Sequence, residues 1–432
     1  MLLKPSNLKV LEKKKKNLQL FSSHLIASNM KGKIINRVSE AQLQSIPAMS
    51  DADSIEVHPV VFPPEVLARI LPDLSLQRHL SLEIRPCSRR FEEFREIKLS
   101  DGNISRYSGN ASNNGSNDVI GSNVLRTGKT FIMTSITGGI IEETLSAGSN
   151  DIGEEELIEI ATEETKLSEN ATVFPVVEVH RGRVGGPTDE EMITSEKLHK
   201  TLLHSGLLKK KALAVSCGIR RTDENGNVSI IYDDEALEED KKINESINRK
   251  WSYVLYAKIQ VFSRNGPIFD LCWNSLISAL KSVKPPRAFL DERAADLKIA
   301  VRTRGRSMTI RETYDILCDP TKYLPLELNE SQLAFGSNFG IVDIDPLAEL
   351  DLEDEANADK MEVTDKKSVL LADIETEAEE TSIQSTLTFI TSKDGMMKNA
   401  TIIGGGSKIT PSMIRRCITL SKQRADDIQS KI

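Results

Sequence analysis

The sequence lacks the features of a membrane-spanning or disulfide-stabilised secreted protein. Its five cysteines include no CxxC pair, and no uncharged apolar run reaches the roughly 18 residues that span a bilayer. The six histidines include no HxxxH pair, since His199 and His204 stand five residues apart and would point to different faces of a helix. These absences exclude a helical zinc site and favour a reducing intracellular compartment without membrane contact.

The chain also lacks the basic excess of a protein that holds nucleic acid by itself. Its net charge at pH 7 is -8, whereas affinity for a phosphate backbone comes from many Lys and Arg that release counterions. Nine Lys and Arg against two Glu give residues 1–50 a charge of +7, so the remainder carries -8 minus 7, or -15. We therefore predict that any RNA contact is local and shared with partners.

Composition divides the chain into a basic extension and an ordered body. Residues 1–50 show neither strand alternation nor a capped helix, and they predict a solvated disordered extension, with a targeting tail as the alternative. Residues 51–432 predict one domain with insertions near 101–123 and 222–248 and an acidic linker at 347–367. Met49 precedes the first ordered-looking segment, which leads to the hypothesis that translation starts there.

Hairpins that lead into helices recur along the body and predict an α+β fold. Alternating apolar residues over 251–262 predict a strand, Asn265-Gly266 predicts a hairpin turn, and a helix is predicted to start at Asp270. The remaining signals are hairpin turns at Thr127-Gly128 and Asp394-Gly395, a capping box of Thr188 with Glu191, and a last helix that starts at Thr410-Pro411.

Two glycine-containing segments have the look of phosphate-binding loops. Gly128-Lys129-Thr130 ends like a P-loop, but Asn123 stands where the motif needs its first glycine, and strand sequence follows instead of a helix. A hairpin turn is therefore the preferred interpretation. Residues 404–408 (GGGSK) precede a helix and indicate either an anion site or a tight strand-to-helix turn.

Two charged clusters leave alternatives open. Arg302, Arg304 and Arg306 alternate along a short segment, which predicts three guanidinium groups on one strand face. They fit either contacts with an RNA backbone or an edge or interface strip. The acidic residues between Asp373 and Glu380 are either paired carboxylates for acid–base chemistry or a solvated loop, and the sequence alone favours the loop.

A resemblance to a known family is carried by eight blocks of the chain: 62–69, 76–80, 85–86, 93–95, 138–142, 251–256, 269–274 and 371–381. These blocks are similar to the RNase PH-like ring subunits of the eukaryotic RNA exosome. The resemblance implies the RNase PH fold with two βαβα halves, a ring of related subunits with RNA-binding caps, and no cofactor or metal. It also implies that RNA passes through a central pore to a separate hydrolytic exoribonuclease during rRNA maturation and mRNA turnover, in the nucleus, nucleolus and cytoplasm.

The resemblance also implies that the phosphorolytic site of active relatives is degenerate here. Active members bind phosphate with Ser or Thr and Arg at a helix entrance, whereas this chain has Trp273, Asn274 and Ser275 there and no arginine; neutral donors bind phosphate more weakly. Of the two acidic residues six apart, Asp373 fits the first position, and Glu379, one methylene longer, stands at the second. A non-catalytic structural subunit is predicted, with an active phosphorolytic 3'-5' exoribonuclease using Asp373 as the alternative.

Four arginines are candidates for RNA contact. Arg85 and Arg89 match the arginines of the family's Arg-Pro-Asp-Gly-Arg motif, in which Cys87 and Ser88 replace Asp-Gly. Arg181 and Arg183 lie beside a glycine-rich turn, with surface solvation as the alternative. Neighbouring ring subunits are expected to complete the edge strands and apolar patches of the chain.

Overall fold

The computed structural model describes residues 62–107, 118–143, 169–182, 185–222, 228–232, 250–290, 298–302, 308–312, 316–344 and 367–432. The extension predicted at 1–50 and the start at Met49 lie outside these residues, as do Arg183, Arg304 and Arg306. The linker predicted at 347–367 also lies outside them, except for Lys367, which begins a strand.

The described elements alternate between strands and helices along the chain. In chain order they are α1 (Pro64–Ile70), α2 (Pro72–Ser81), β1 (Ile97–Ser100), β2 (Val119–Thr127), β3 (Thr130–Glu143), β4 (Phe174–His180), α3 (Asp189–Ser205), α4 (Lys210–Leu213), β5 (Gly218–Thr222), β6 (Val228–Ile231), β7 (Lys250–Phe262), α5 (Phe269–Lys281), β8 (Pro286–Leu290), β9 (Lys298–Arg302), β10 (Met308–Glu312), β11 (Ile316–Tyr323), β12 (Phe335–Ile344), β13 (Lys367–Ala372), α6 (Glu377–Ser382), β14 (Ser385–Thr391), β15 (Met397–Ile403) and α7 (Pro411–Gln429).

The first half of the fold is a sheet with the strand order β1-β2-β3-β7-β4. Strands β4 and β7 pair in parallel, and the other neighbours pair antiparallel. The alternation of β7 buries Leu255, Ala257, Ile259 and Val261 on one face, which confirms the predicted strand. The predicted turn at Thr127-Gly128 joins β2 to β3, and Gly128 has a positive φ of 54°.

Strand β4 forms an outer edge of this sheet whose backbone donors are already used. The Val177 N–H donates to Ser195 Oγ (3.0 Å), and the Val179 N–H donates to Glu191 Oε1 (2.7 Å), both on α3. Pro175, two residues earlier on the same edge, has no N–H to satisfy. Side chains of α3 therefore accept hydrogen bonds from the outward N–H groups of this edge within the chain itself.

Helix α5 forms the core between the two halves. Its residues 270–280 are all buried, because one side packs on β2 and β3 and the other on β12. A helix that is enclosed on every side must be apolar around its circumference, and polar side chains on it must find internal partners. The polar residues of α5 are therefore the natural place to look for a site.

The second half is a sheet with the order β13-β12-β14-β15, in which all neighbours are antiparallel. The turn predicted at Asp394-Gly395 joins β14 to β15, and Thr410 caps α7 by accepting a hydrogen bond from the Met413 N–H (3.4 Å). Smaller sheets have the orders β11-β8-β5-β6 and β10-β9. Arg302 ends β9, paired with Met308.

The structure corrects one predicted turn. Asn265-Gly266 does not form a hairpin, because the chain leaves β7 at Phe262 and leads through this dipeptide into helix α5, not into an adjacent strand. Gly266 is needed there for a different reason: its φ is 75°, and a Cβ at this position would collide with the carbonyl oxygen of Ile374. Close approach of two loops, rather than strand reversal, explains this glycine.

Two predicted insertions are shorter than expected. Strand β2 begins at Val119, so the segment 119–123 belongs to the first sheet. Thr222 ends β5, and Val228–Ile231 forms β6 within the segment predicted as 222–248. The described sheets with packed helices confirm the predicted α+β fold. Among the described helices, none is long and apolar enough to cross a membrane.

Candidate functional site

The predicted helix entrance lies inside the protein, and its polar groups bind other parts of the same chain. The Trp273 indole N–H donates to the Ala334 carbonyl (2.9 Å), and the ring is only 1% exposed. The Asn274 side chain donates to the Gly336 carbonyl (3.0 Å) and accepts from the Gly336 N–H (2.8 Å). Asn274 thereby binds β12 as a neighbouring strand would.

Ser275 is bound in the same way from the opposite side of α5. Its hydroxyl accepts a hydrogen bond from Asn123 Nδ2 (3.2 Å) on β2 and shares a second one with Thr134 Oγ1 (2.8 Å) on β3. Ser275 and Asn274 have no exposed surface. Asn274 and Ser275, predicted from the sequence to occupy a degenerate phosphate site, therefore fasten the helix between the two sheets.

Asp373 is a buried carboxylate neutralised by Arg95. Arg95 Nε and Nη2 donate to its two oxygens (2.8 and 2.6 Å), and the Arg95 backbone N–H donates as well (2.9 Å). Burial raises the pKa of Asp373, but the hydrogen bonds and charge of Arg95, together with the charge of Arg89, outweigh burial, so the pKa lies below its ordinary value. Asp373 is thus a charged carboxylate whose two oxygens both accept hydrogen bonds from Arg95.

Glu379 forms a second buried ion pair, with Arg85. Arg85 Nε and Nη2 donate to its two oxygens (2.8 and 2.9 Å), and both side chains have no exposed surface. The same guanidinium also donates to the carbonyls of Ala372 and Asp373. Burial raises the pKa of Glu379, but Arg85 and the backbone N–H groups of Glu375 and Thr376 together outweigh burial, so the pKa lies below its ordinary value. A bidentate pair of this kind holds the loop before α6 in one position.

Arg89 joins the two pairs into one network. Its Nη2 donates to the Asp373 carbonyl and to Glu375 Oε2, both at 3.0 Å, and its Nη1 donates to the Glu93 carbonyl (2.8 Å). We call Arg85, Arg89, Arg95, Asp373, Glu375 and Glu379 the arginine–carboxylate cluster. The segment 85–95 thereby binds the segment 373–379 across nearly 300 residues of sequence.

Asp270, at the start of α5, lies beside this cluster and is not neutralised by it. Its Oδ2 accepts from Asn338 Nδ2 (2.9 Å), while its buried Oδ1 has no hydrogen-bond partner. Burial, together with the charge of Asp373, raises the pKa of Asp270 to about 6. Arg95, whose buried Nη1 also has no hydrogen-bond partner, lowers that pKa by a smaller amount.

The structure contradicts the preferred interpretation of the acidic segment. Asp373 and Glu379 are 3% and 0% exposed, so the predicted solvated loop is wrong for these two residues. The sequence places Arg95 in a block of family resemblance and Asp270 at the start of a helix, but it assigns no role to either side chain. The four arginines within residues 85–95 were the one available signal, and they gave no indication of partners about 280 residues away.

The four arginines proposed for RNA contact differ in accessibility. Arg85 is fully buried and Arg89 is 13% exposed, and both bind carboxylates of the cluster, which argues against contact with RNA. Arg181 is 34% exposed and donates to Glu190 (2.8 Å). Arg183 lies outside the described residues.

The two phosphate-loop candidates have structural explanations. Gly128 forms a hairpin turn, as predicted. In the 404–408 segment, the N–H groups of Gly406 and Ser407 donate to Ser385 Oγ (3.2 and 3.0 Å), so these two donors are used by the chain itself. Within the described ranges no group of three or more His, Cys, Asp or Glu side chains is arranged to hold a metal ion.

Comparison with known proteins gives a consistent picture. Residues 93–232 match the model of the 3' exoribonuclease family, domain 1 (RNase PH). The chain is 23% identical over 363 residues to the exosome complex component rrp43 of Schizosaccharomyces pombe, which covers 84% of this chain and 96% of that protein. These matches confirm the resemblance to RNase PH-like exosome subunits.

Two solved structures are also similar to the chain. An Archaeoglobus fulgidus exosome with RNA bound to the active site has 15% identity and a TM-score of 0.48, covering 85% of this chain and 99% of that one. An archaeal exosome core has 14% identity and a TM-score of 0.44, covering 86% and 99%.

Proposed function

We propose that this chain, an RNase PH-like protein related to exosome components, is a non-catalytic structural subunit of an exosome core ring. In this role it helps to form the channel that threads RNA to a separate hydrolytic exoribonuclease. Its proposed partners are other RNase PH-like ring subunits and RNA-binding cap subunits. The proposed processes are rRNA maturation and mRNA turnover, in the nucleus, nucleolus and cytoplasm.

The observation that carries this proposal is the internal use of every group that resembles the phosphorolytic site. Phosphorolysis needs free donors for phosphate and a carboxylate able to exchange a proton. Here Asn274 and Ser275 bind β12 and the first sheet, and Asp373 and Glu379 each bind an arginine. Loss of one preorganised donor typically lowers a rate by about 10² to 10³, and this arrangement leaves none of them free.

Exposed apolar side chains support assembly with other subunits. Phe174, Val176 and Tyr256 are each about half exposed on the open face of the first sheet, and Ile402 and Ile403 are equally exposed on β15. Contiguous exposed apolar surface on a soluble domain marks a protein–protein interface. Because α3 already covers the backbone edge of β4, we expect neighbouring subunits to bind through side-chain faces at that side of the fold.

Two measurements test the proposal. The purified chain, incubated with single-stranded RNA and inorganic phosphate, is expected to release no nucleoside diphosphate. The tagged chain, purified from its native cells, is expected to bring RNase PH-like subunits with it in stoichiometric amounts.

Robust phosphate-dependent release by the wild-type chain alone would establish the alternative, a phosphorolytic exoribonuclease. The variant Asp373→Ala then tests whether Asp373 is responsible. If Asp373→Ala does not fold, Asp373→Asn replaces it, because the asparagine side chain can still accept a hydrogen bond. A native chain that purifies without any related subunit would equally contradict the structural role.

A further inference from the structure

Two aromatic rings in contact, each with a cationic side chain beside it, lie at the end of α5 that is away from the arginine–carboxylate cluster. The Arg106 guanidinium lies 5.5 Å from the ring centre of Tyr107. That ring lies 4.8 Å from the ring of Tyr323, and Lys284 Nζ lies 5.1 Å from the Tyr323 ring on β11. We call these four residues the cation–aromatic ladder.

The surface next to the ladder adds further positive charge. Arg287 and Lys322 both lie over the ring of Tyr232, at 4.7 and 4.8 Å from its centre. Asp319 is near but buried, and its oxygens accept hydrogen bonds from Tyr232 and Thr321. The Asp319 carboxylate is therefore directed inward, and the acidic side chain of Asp118, which lines the adjoining cavity, is outnumbered by the four cationic side chains named here.

A cavity of about 650 Å³ adjoins the ladder and shares Arg106 with it. Trp251 and Tyr253 line it, and Tyr253 is fixed by a hydrogen bond from its hydroxyl to the Pro286 carbonyl. Gly139 also lines the cavity, and a Cβ placed on it would meet no atom within 4 Å. Aromatic walls beside open space form a site that accepts a flat ring.

This combination fits one class of ligand. Single-stranded nucleic acid is bound by aromatic side chains on which bases stack and by Lys and Arg that follow the phosphates. Tyr323, 43% exposed, offers a ring for stacking, and Lys284 and Lys322 lie within reach of the same surface. The bases of a duplex are already stacked on each other, so they are not available to stack on these rings.

We propose that the cation–aromatic ladder and the adjoining cavity bind single-stranded RNA. This inference rests on the proposed role in RNA handling, and it adds a contact surface outside the site discussed above. Asp270 marks one end of α5 and Lys284 follows the other, and a helix of 13 residues is about 20 Å long. The ladder is therefore separate from the arginine–carboxylate cluster.

The test is a fluorescence titration of the full chain with a short single-stranded RNA of mixed sequence. The chain has two tryptophans, and Trp273 is buried, so a base that enters the cavity quenches Trp251. We expect Tyr323→Ala to weaken binding about tenfold, in line with the loss of one base-stacking contact. Lys284→Ala is expected to weaken binding and to reduce the salt dependence, log K against log salt, by about 0.7.

Gly139→Leu tests the cavity without straining the backbone, because the new side chain enters open space on a β-strand. It is expected to abolish the quenching of Trp251. The matched controls are Tyr256→Ala, a tyrosine that is 51% exposed on β7, and Lys200→Ala, an exposed lysine on α3. Both are expected to bind RNA like the wild type, and circular dichroism checks that all variants are folded.

The proposal is overturned if Tyr323→Ala and Lys284→Ala bind RNA as tightly as the wild type, or if a duplex of the same sequence binds equally well. It is also overturned if Tyr323→Ala leaves RNA binding unchanged but loses a co-purifying subunit, since the surface then belongs to a protein interface. If the proposed ring assembly is wrong, the co-purification experiment shows it. The fluorescence titration still tests RNA binding in that case.

Discussion

The buried pair of Arg85 and Glu379 allows the sharpest test of the structural interpretation. Arg85→Met keeps the approximate volume of the side chain but leaves the Glu379 charge buried without its partner. Removal of one member of a buried ion pair typically lowers the free energy of unfolding by about 3–5 kcal/mol. Two backbone N–H groups, of Glu375 and Thr376, still donate to Glu379, so we expect a loss of about 3 kcal/mol, at the lower end.

The loss is measured by urea unfolding of the full chain, followed by circular dichroism. The double variant Arg85→Met/Glu379→Gln removes the unpaired charge as well. Its loss of unfolding free energy is expected to be smaller than the sum of the two single-variant losses by at least about 1–2 kcal/mol. Arg69→Met is the control, because Arg69 and Glu377 form a pair on the same part of the fold but are 76% and 66% exposed. Its effect is expected to stay within about 0.5 kcal/mol.

The pH dependence gives a second measurement on the same variants. The pKa of Glu379 is depressed in the folded wild type, so the stability from this pair is present above the unfolded pKa and is lost as pH falls through the folded value. In Arg85→Met, burial without the arginine raises that pKa, so acidification toward pH 5 should increase stability. Equal stability of Arg85→Met and Arg69→Met, or an unchanged pH profile, would refute the reasoning.

Three further predictions concern neighbouring positions. Burial holds the pKa of Asp270 at about 6, so the folded state keeps a proton that the unfolded state loses, and stability falls as pH rises from about 4 to 6. At pH 7.5, Asp270→Asn should therefore be more stable than the wild type by up to about 3 kcal/mol. Near pH 4 this difference should vanish, as measured by urea unfolding. Gly266→Ala should lower the melting temperature strongly, since positive φ and backbone contact both oppose a side chain, whereas Gly139→Ala should not. Asn274→Ala leaves the N–H and carbonyl of Gly336 unpaired in the core and should reduce the free energy of unfolding by about 2–3 kcal/mol, without any change in phosphate affinity by calorimetry.

Features encoded locally were predictable from the sequence. The strand at β7, the turn at Gly128 and the capping box of Thr188 with Glu191 each depend on residues that are close in sequence, and the structure confirms them. The α+β class followed from the repetition of such signals. The hairpin expected at Asn265-Gly266 was wrong, because the same dipeptide also suits a strand-to-helix connection, and only the fold shows which loop lies against it.

The candidate site could be recognised only in part. The resemblance indicated that phosphate-binding residues are missing, but it did not show what Asn274, Ser275 and Asp373 do instead. Their partners lie on other elements, and Arg95 is 278 residues from Asp373. An acidic run looks the same in sequence whether water or arginine surrounds it, so the burial of Asp373 and Glu379 could not be predicted from composition.

The side chains of α3 that cover β4 have a consequence for how copies of this chain associate. An edge strand with unpaired backbone N–H groups can pair with a strand of another molecule, and repeated pairing of this kind leads to open-ended aggregation. The N–H groups of Val177 and Val179 are already hydrogen-bonded, and Pro175 has none, so these three positions offer no backbone donor to an added strand. A strand added at β4 would have to bind through the outward carbonyl groups alone, and this disfavours open-ended polymerisation through that edge.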